Sequence, residues 1–364
     1  MVVGLAWASV ALAGGGGIFD AAETYPSGDG DTFRVTSGDF DGDGRTDLAA
    51  TNTETPFFTV SVFMGKGKQG KFEDAEPFIG GGTFADIESG RFGKDKNPDL
   101  AVTDSGNSVI EVFRGNGDGT FDFQNFDSYP AGSSTFGLDI AKLPGDKWSD
   151  IVSANSGGGI SILYGKRNGT FKEPMNLSMG EADDDVIVTD LNGDDVPDLA
   201  TSDFVDQVIV RLGKRNGDYR EIDVYNVLEG PSSIAAGKLD GDDRLDLVVS
   251  NRTTSDVAVL LGRQGGFKQA QYFDVDNGNL GLSRIAVADF DGDRKRDVAL
   301  AYETGGGLVV MRGRGDGRLR EPILFEADVD ATGLVLGRFR PGGGPDAAIA
   351  NEQDPGSIAV FLNR

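Results

Sequence analysis

The chain has 364 residues, and its 34 Lys plus Arg stand against 59 Asp plus Glu, a formal net charge of −25. That balance argues against a nucleic-acid partner and against an anionic membrane surface, both of which are bound by clustered Lys and Arg. The absence of Cys and His removes disulfides, thiolate metal sites, Cys nucleophiles, Ser–His–Asp triads and His-based zinc motifs.

In chain order, residues 1–13 (MVVGLAWASVALA) form an apolar run too short to span a bilayer. It ends in a small-x-small pattern and lacks a basic leader, so residues 1–16 read as a signal peptide or an apolar tail with a Gly joint. Residues 17–364 read as one domain. Its first segment, GIFDAAETYPSG (Gly17–Gly28), has the composition of a later one, GTFDFQNFDSYPAG (Gly119–Gly132).

From there the chain is a repeat array. DFDGDGRTD (Asp39–Asp47), DLNGDDVPD (Asp190–Asp198) and DFDGDRKRD (Asp289–Asp297) share one pattern, and KLDGDDRLD (Lys238–Asp246) departs mainly at its first position. Weaker copies are RFGKDKNPD (Arg91–Asp99), KLPGDKWSD (Lys142–Asp150) and RFRPGGGPD (Arg338–Asp346). The closing residues Asp47, Asp99, Asp150, Asp198, Asp246, Asp297 and Asp346 recur every 48–52 residues. An alternating run then ends in Gly65, Gly115, Gly165, Gly213, Gly262 and Gly313; the seventh run, IAVFLN, ends near the C-terminus. Alternation over five or six residues is the strand period. Asn52, Asp104, Asn155, Asp203, Asn251 and Asn351, five residues after the closing Asp, suit turns; Tyr302 is the exception.

Each repeat therefore reads as four short antiparallel strands, and the array as an all-β, seven-bladed β-propeller. The last repeat lacks a fourth strand, so Gly17–Gly28 is expected to supply it beside Ser357–Leu362 and close the ring. Helical repeats would need apolar residues at i, i+3 and i+4. A WD-type propeller is excluded by the absence of His and the presence of only two Trp.

In the first loop, Asp39, Asp41, Asp43 and Asp47 place carboxylates at positions one, three, five and nine, and Arg45 offers a backbone carbonyl at position seven. The fourth repeat offers Asp190, Asn192, Asp194, Val196 and Asp198 in the same roles, and the sixth offers Asp289, Asp291, Asp293, Lys295 and Asp297. Several hard oxygens at short spacing suit Ca²⁺, which takes six to eight oxygen ligands. An EF-hand is excluded, because Ala50, Thr201 and Leu300 stand where its bidentate Glu belongs. About three Ca²⁺ sites are expected. Asp240, Asp242 and Asp246 form a weaker candidate, in which Lys238 is expected to pair with these acids in place of an ion.

DFDGDG, the alternating strand and the Gly-x-Gly-Thr-Phe turn resemble the FG-GAP, or VCBS-type, repeat found in integrin α-subunit propellers, secreted bacterial proteins and some fungal lectins. The resemblance implies a seven-bladed propeller with Ca²⁺ in the loop between strands one and two, and Asp39, Asp41, Asp43 and Asp47 match its ligand positions. So do Asp190, Asn192, Asp194 and Asp198, and Asp289, Asp291, Asp293 and Asp297. The expectation is a secreted, monomeric, non-enzymatic module that binds a protein or glycan. The alternatives are a polysaccharide-acting enzyme using carboxylates or Ca²⁺, and a purely structural surface protein. On the face opposite the acid loops, Phe57, Phe58, Phe84, Phe136 and Phe204 either pack between blades or stack on a sugar. Arg314-Gly315-Asp316 falls at a hairpin turn that the repeat already explains.

Overall fold

The computed structural model describes residues 17–364 apart from 29, 54–57, 80, 181–182, 277–280, 328–329 and 353–354. The apolar N-terminal run, and the signal reading attached to it, lie outside the described residues. Strands account for all the regular structure among them, and none of it is helical. Seven four-stranded antiparallel sheets follow one another as blades. The second blade shows the pattern: Phe84–Gly90, Asp99–Asp104, Val109–Gly115 and Phe121–Pro130, innermost to outermost. No helix among the described residues is long and apolar enough to cross a membrane.

The second strands are buried along nearly their whole length, as in Asp99–Asp104 and Asp246–Asn251. Both faces of each must therefore be small or apolar, since neighbouring blades pack on either side. The core accordingly divides into seven clusters, most of them drawing residues from two successive blades. Loop position two is apolar in every repeat and packs between its own blade and the next: Phe40, Phe92, Leu143, Leu191, Leu239, Phe290 and Phe339 are all buried. Gly38 makes room for this, since a Cβ there would lie 2.4 Å from the Phe40 ring.

The ring closes as the repeat arithmetic predicts. Glu23–Pro26 is the outer strand of the seventh blade, pairing Glu23 with Val360 and Pro26 with Ser357. The Asp20 amide donates to Leu362 O at 2.8 Å and the Arg364 amide to Ile18 O at 2.8 Å. Phe19 is buried among Phe290, Phe325 and Phe361. Asp20 accepts from Arg364 at 2.8 Å and stands 3.3 Å from Arg340. A free third-strand edge would expose a row of unpaired backbone groups. A chain beginning at Asp31 is therefore expected to aggregate or to melt well below the full chain. An unchanged, monomeric melt by calorimetry with light scattering would contradict the closure.

Candidate functional site

The acid loops join the first and second strands of each blade, and one contact pattern underlies all seven. The closing Asp accepts the amide of loop position two with one oxygen and, with the other, the amide of the residue that ends or follows the third strand. Asp47 takes Phe40 and Gly65, both at 2.7 Å. Asp297 takes Phe290 at 2.9 Å and Gly313 at 2.8 Å. The other five blades repeat this at 2.7–3.0 Å, with Asn363 replacing Gly in the last. Burial pushes the Asp47, Asp99, Asp150, Asp198 and Asp297 carboxyls up to about 6, against the pull of the two amides.

The three intact loops add a second pattern. Position six turns left-handed (Gly44 φ 83°, Asp195 φ 62°, Arg294 φ 67°), and its amide donates to the first Asp. The distances are 3.1 Å to Asp39, 2.7 Å to Asp190 and 2.9 Å to Asp289. The position-seven amides of Arg45, Val196 and Lys295 donate to Asp43, Asp194 and Asp293. Asp39, Asp41 and Asp43 gather carboxylate oxygens within 4.8 Å of one another, as do Asp289, Asp291 and Asp297. Asp39 Oδ1 is buried and has no hydrogen-bond partner among the described residues.

The fourth loop forms no such three-acid group among the described residues. Its third position is Asn192, whose amide Nδ2 donates to Asp198 at 3.2 Å. Basic side chains also touch the intact loops: Arg45 on Asp43, Lys295 on Asp293 at 3.0 Å and Arg312 on Asp291 at 3.4 Å.

In the fifth loop Lys238 stands 3.7 Å from Asp243, rather than on Asp240, Asp242 or Asp246 as expected from the sequence. Asp242 is engaged by Arg244 at 2.8 Å, and both Asp246 oxygens hold backbone amides.

The turn expectation for the Asx row holds for its two aspartates, Asp104 Oδ1 accepting the Asn107 amide at 3.1 Å, while Asn155 and Asn251 bond across to Ser161 and Asp256 of their third strands. Asp203 Oδ1 accepts the amides of Val205, Asp206 and Gln207. Asn52 and Asn351 instead bond to hydroxyls of the adjoining third strand. Phe84 is buried in the core, whereas Phe204 is 44% exposed and meets Phe136 edge-on at 6.4 Å. Phe58 lies in a third strand, and Phe57 falls outside the described residues. The Arg314–Asp316 tripeptide sits in a hairpin closed by Arg314 N to Arg318 O at 2.9 Å.

A second charged assembly lies in the axial channel and was not read from the sequence. Four residues before the end of the first strand, successive blades carry Arg34, Asp86, Gly137, Asp185, Ser233, Arg284 and Gly333. Arg284 reaches across the channel to Asp86 at 2.5 Å and Asp185 at 2.6 Å, tying blade six to blades two and four. Ser233 donates to Asp185 at 2.7 Å. Burial disfavours charge on Arg284, but Asp185 and Asp86 outweigh it and hold the guanidinium above its ordinary range.

Glu88, Asp139 and Asp184 lie close to this assembly, and among the described residues no salt bridge ends on them. Burial, reinforced by the neighbouring acids, pushes Glu88 up to about 8. Burial likewise pushes Asp139 and Asp184 up to about 7, despite amide bonds to the first and the pull of Arg34 on the second. The channel encloses about 200 Å³ beside Arg34, Glu88, Asp139 and Arg284.

FG-GAP-like repeats match residues 142–201 and 238–300, and the FG-GAP repeat matches residues 33–70. The chain is an FG-GAP repeat β-propeller. No curated protein matches it. Among solved structures, this FG-GAP propeller is similar to BBS1N in complex with ARL6DN, at 14% identity and a TM-score of 0.65, covering 95% of this chain and 97% of that one. It is similar to virginiamycin B lyase from Staphylococcus aureus at 12% identity and a TM-score of 0.63, covering 95% and 100%. An Agrocybe aegerita lectin that recognises non-reducing terminal N-acetylglucosamine is 18% identical with a TM-score of 0.59, covering 95% and 96%. At these identities the likeness is one of fold.

Two outcomes are expected of the channel. Arg284→Met strands Asp86 and Asp185 and should cost about 3–5 kcal/mol, measured by urea unfolding; adding Asp86→Asn and Asp185→Asn should recover much of it. Glu88 binds its proton more tightly folded than unfolded. Its contribution is therefore full below the ordinary Glu range and is lost as pH rises through about 8. Glu88→Gln should flatten that fall in stability between acidic and mildly basic pH, by at least the ~1.4 kcal/mol of one pKa unit. Equal slopes in melts across that range would contradict it.

Proposed function

We propose that this FG-GAP propeller is a secreted, monomeric, non-enzymatic binding module for a protein or glycan, stabilised by Ca²⁺ in its intact acid loops. The observation that carries the metal reading is the gathering of Asp39, Asp41 and Asp43 carboxylate oxygens within 4.8 Å of one another, in a loop where the buried Asp39 Oδ1 has no hydrogen-bond partner among the described residues. A hard cation with many oxygen ligands fits such a donor set. Asp39, Asp41, Asp43 and Asp47 would hold it in blade one, Asp289, Asp291, Asp293 and Asp297 in blade six, and Asp190, Asn192, Asp194 and Asp198 in blade four. The carbonyls of Arg45, Lys295 and Val196 would complete the shells. Bound there, the ion would neutralise the clustered carboxylates and fix the loop.

The binding reading is supported by the regular ring. Repeat intervals of 48–52 residues leave no room for an inserted catalytic unit. Propellers of similar fold include a lectin and a protein captured with a protein partner. A lyase of the same fold keeps the enzymatic alternative in view.

At ten times Kd each site adds about 1.4 kcal/mol by mass action, so three add roughly 4. The melting temperature should rise in about 5 mM CaCl₂, a concentration above the millimolar Kd of extracellular modules, and fall in EGTA. An unchanged melt would refute calcium as a stabiliser.

Calorimetric titration of stripped protein should count three ions, two in Asp291→Ala, and three again in Asp95→Ala. Lys238→Asp should add a fourth. A wild-type count of four would show that Lys238 does not block its loop, and a count of zero would sink the calcium reading. Screening the calcium-loaded protein on a glycan array beside a pull-down tests the binding reading itself.

A further inference from the structure

On the acid-loop face, each blade meets the next along a cleft. One wall is the residue just before the Gly, or Asn363 in the last blade, that ends or follows the third strand; the other is the turn joining strands three and four of the following blade. Between blades two and three, Arg114 fills this cleft. Its Nη2 lies 2.7 Å from Asp127 and donates to Gly169 O at 2.7 Å, and its Nη1 stands 3.6 Å from Asp99. Met64, Leu261 and Leu362 fill corresponding clefts so closely that a Cβ on the facing Gly119, Gly317 or Gly70 would lie 2.6–2.7 Å from them.

Between blades four and five the position is Leu212, and nothing lies within 4 Å of a Cβ built on the facing Gly265. A cavity of about 380 Å³ occupies the place. Its acceptors nonetheless repeat those that hold Arg114. Asp223 pairs with Val210 as Asp127 pairs with Val112, and Tyr225 with Val208 as Tyr129 with Ile110. Both tyrosine hydroxyls accept the amide of the next blade's phenylalanine, Phe267 and Phe171, at 3.3 Å. Among the described residues, no hydrogen bond or ion pair ends on the Asp223 carboxylate.

We propose that this cleft binds the guanidinium of an arginine side chain presented by a partner protein. Asp223 and the Gly265 carbonyl receive its N–H groups, as Asp127 and Gly169 receive those of Arg114. Leu212 and Val210 cover the methylene stem. Arg244 on the rim is tied to Asp242 at 2.8 Å. Arg263, also on the rim, disfavours a compact ammonium more than a delocalised, weakly hydrated guanidinium. The formal charge of −25 draws a basic partner toward the ring. The inference rests on the binding-module reading and adds to it a site and a ligand chemistry.

The test titrates acetyl-arginine amide into ¹⁵N-labelled full-length protein in calcium, following the amides of Gly265, Gly266 and Phe267. Acetyl-citrulline amide serves as the uncharged isostere and N-acetylglucosamine as the polyol. Saturable millimolar shifts are expected with arginine alone. Asp223→Asn should weaken them at least about tenfold, as loss of a charge-assisted hydrogen bond would. Leu212→Arg supplies the guanidinium in cis and should abolish them without lowering the melting temperature. Should that variant fail to fold, Asp223→Asn decides. Equal binding of citrulline, binding of the polyol alone, indifference to Asp223→Asn, or no saturable shift would each overturn the proposal. A ligand captured elsewhere on the ring, with this cleft silent, would overturn it while leaving the binding-module reading intact.

Discussion

One carboxylate holding two backbone amides is the contact on which each blade is built. The closing Asp binds the loop between strands one and two to the end of strand three, and it does so in all seven blades. A hydrogen bond to a charged group is worth about 1.5–3 kcal/mol, and leaving either amide unpaired in the interior costs about as much again. The Gly at the end of strand three follows from the same geometry. A Cβ at Gly65 would lie 2.6 Å from Thr46 O, and one at Gly313 would lie 2.0 Å from Arg296 O. With the loop anchored at its last residue, its earlier positions are free to keep or lose acids. The second, third and seventh repeats have lost most of theirs and fold as the others do.

In the intact loops the closing Asp would serve both the backbone clasp and the proposed ion. As a backbone clasp it is needed whether or not an ion is present, which is why its presence alone does not mark out the loops proposed to hold metal. The distinguishing marks are the first-position acid and the left-handed sixth residue that donates to it, shared by the loops of Asp39, Asp190 and Asp289. The fifth loop, with Lys238 first, has neither mark among the described residues.

Much of this architecture is legible in the sequence because it is periodic. The closing Asp, the alternating third strand and the terminal Gly recur in phase, and the likeness of Gly17–Gly28 to later outer strands gave away the ring closure. The axial charges could not be read in the same way. Asp86, Asp185 and Arg284 occupy one register in their strands, but the residue type there varies from repeat to repeat, and only the closed ring brings them together. A column aligned four residues before the end of each first strand, read for charge rather than identity, carries the signal. The open cleft is harder still: Leu212 is an ordinary apolar residue, and its meaning comes from the arginine that stands in its place two blades earlier.

The outer strand contributed by Glu23–Pro26 has a consequence for the order in which the ring can be built. Six blades are made from hairpins of neighbouring residues, whose contacts are local and fast to form. The seventh joins the two ends of the described chain, so the loop to be closed is nearly the whole propeller. During synthesis the first strand must wait, unpaired, until the last one has emerged. The same seam is where a pulled or heated ring should part first, as a gate hinged on otherwise finished blades.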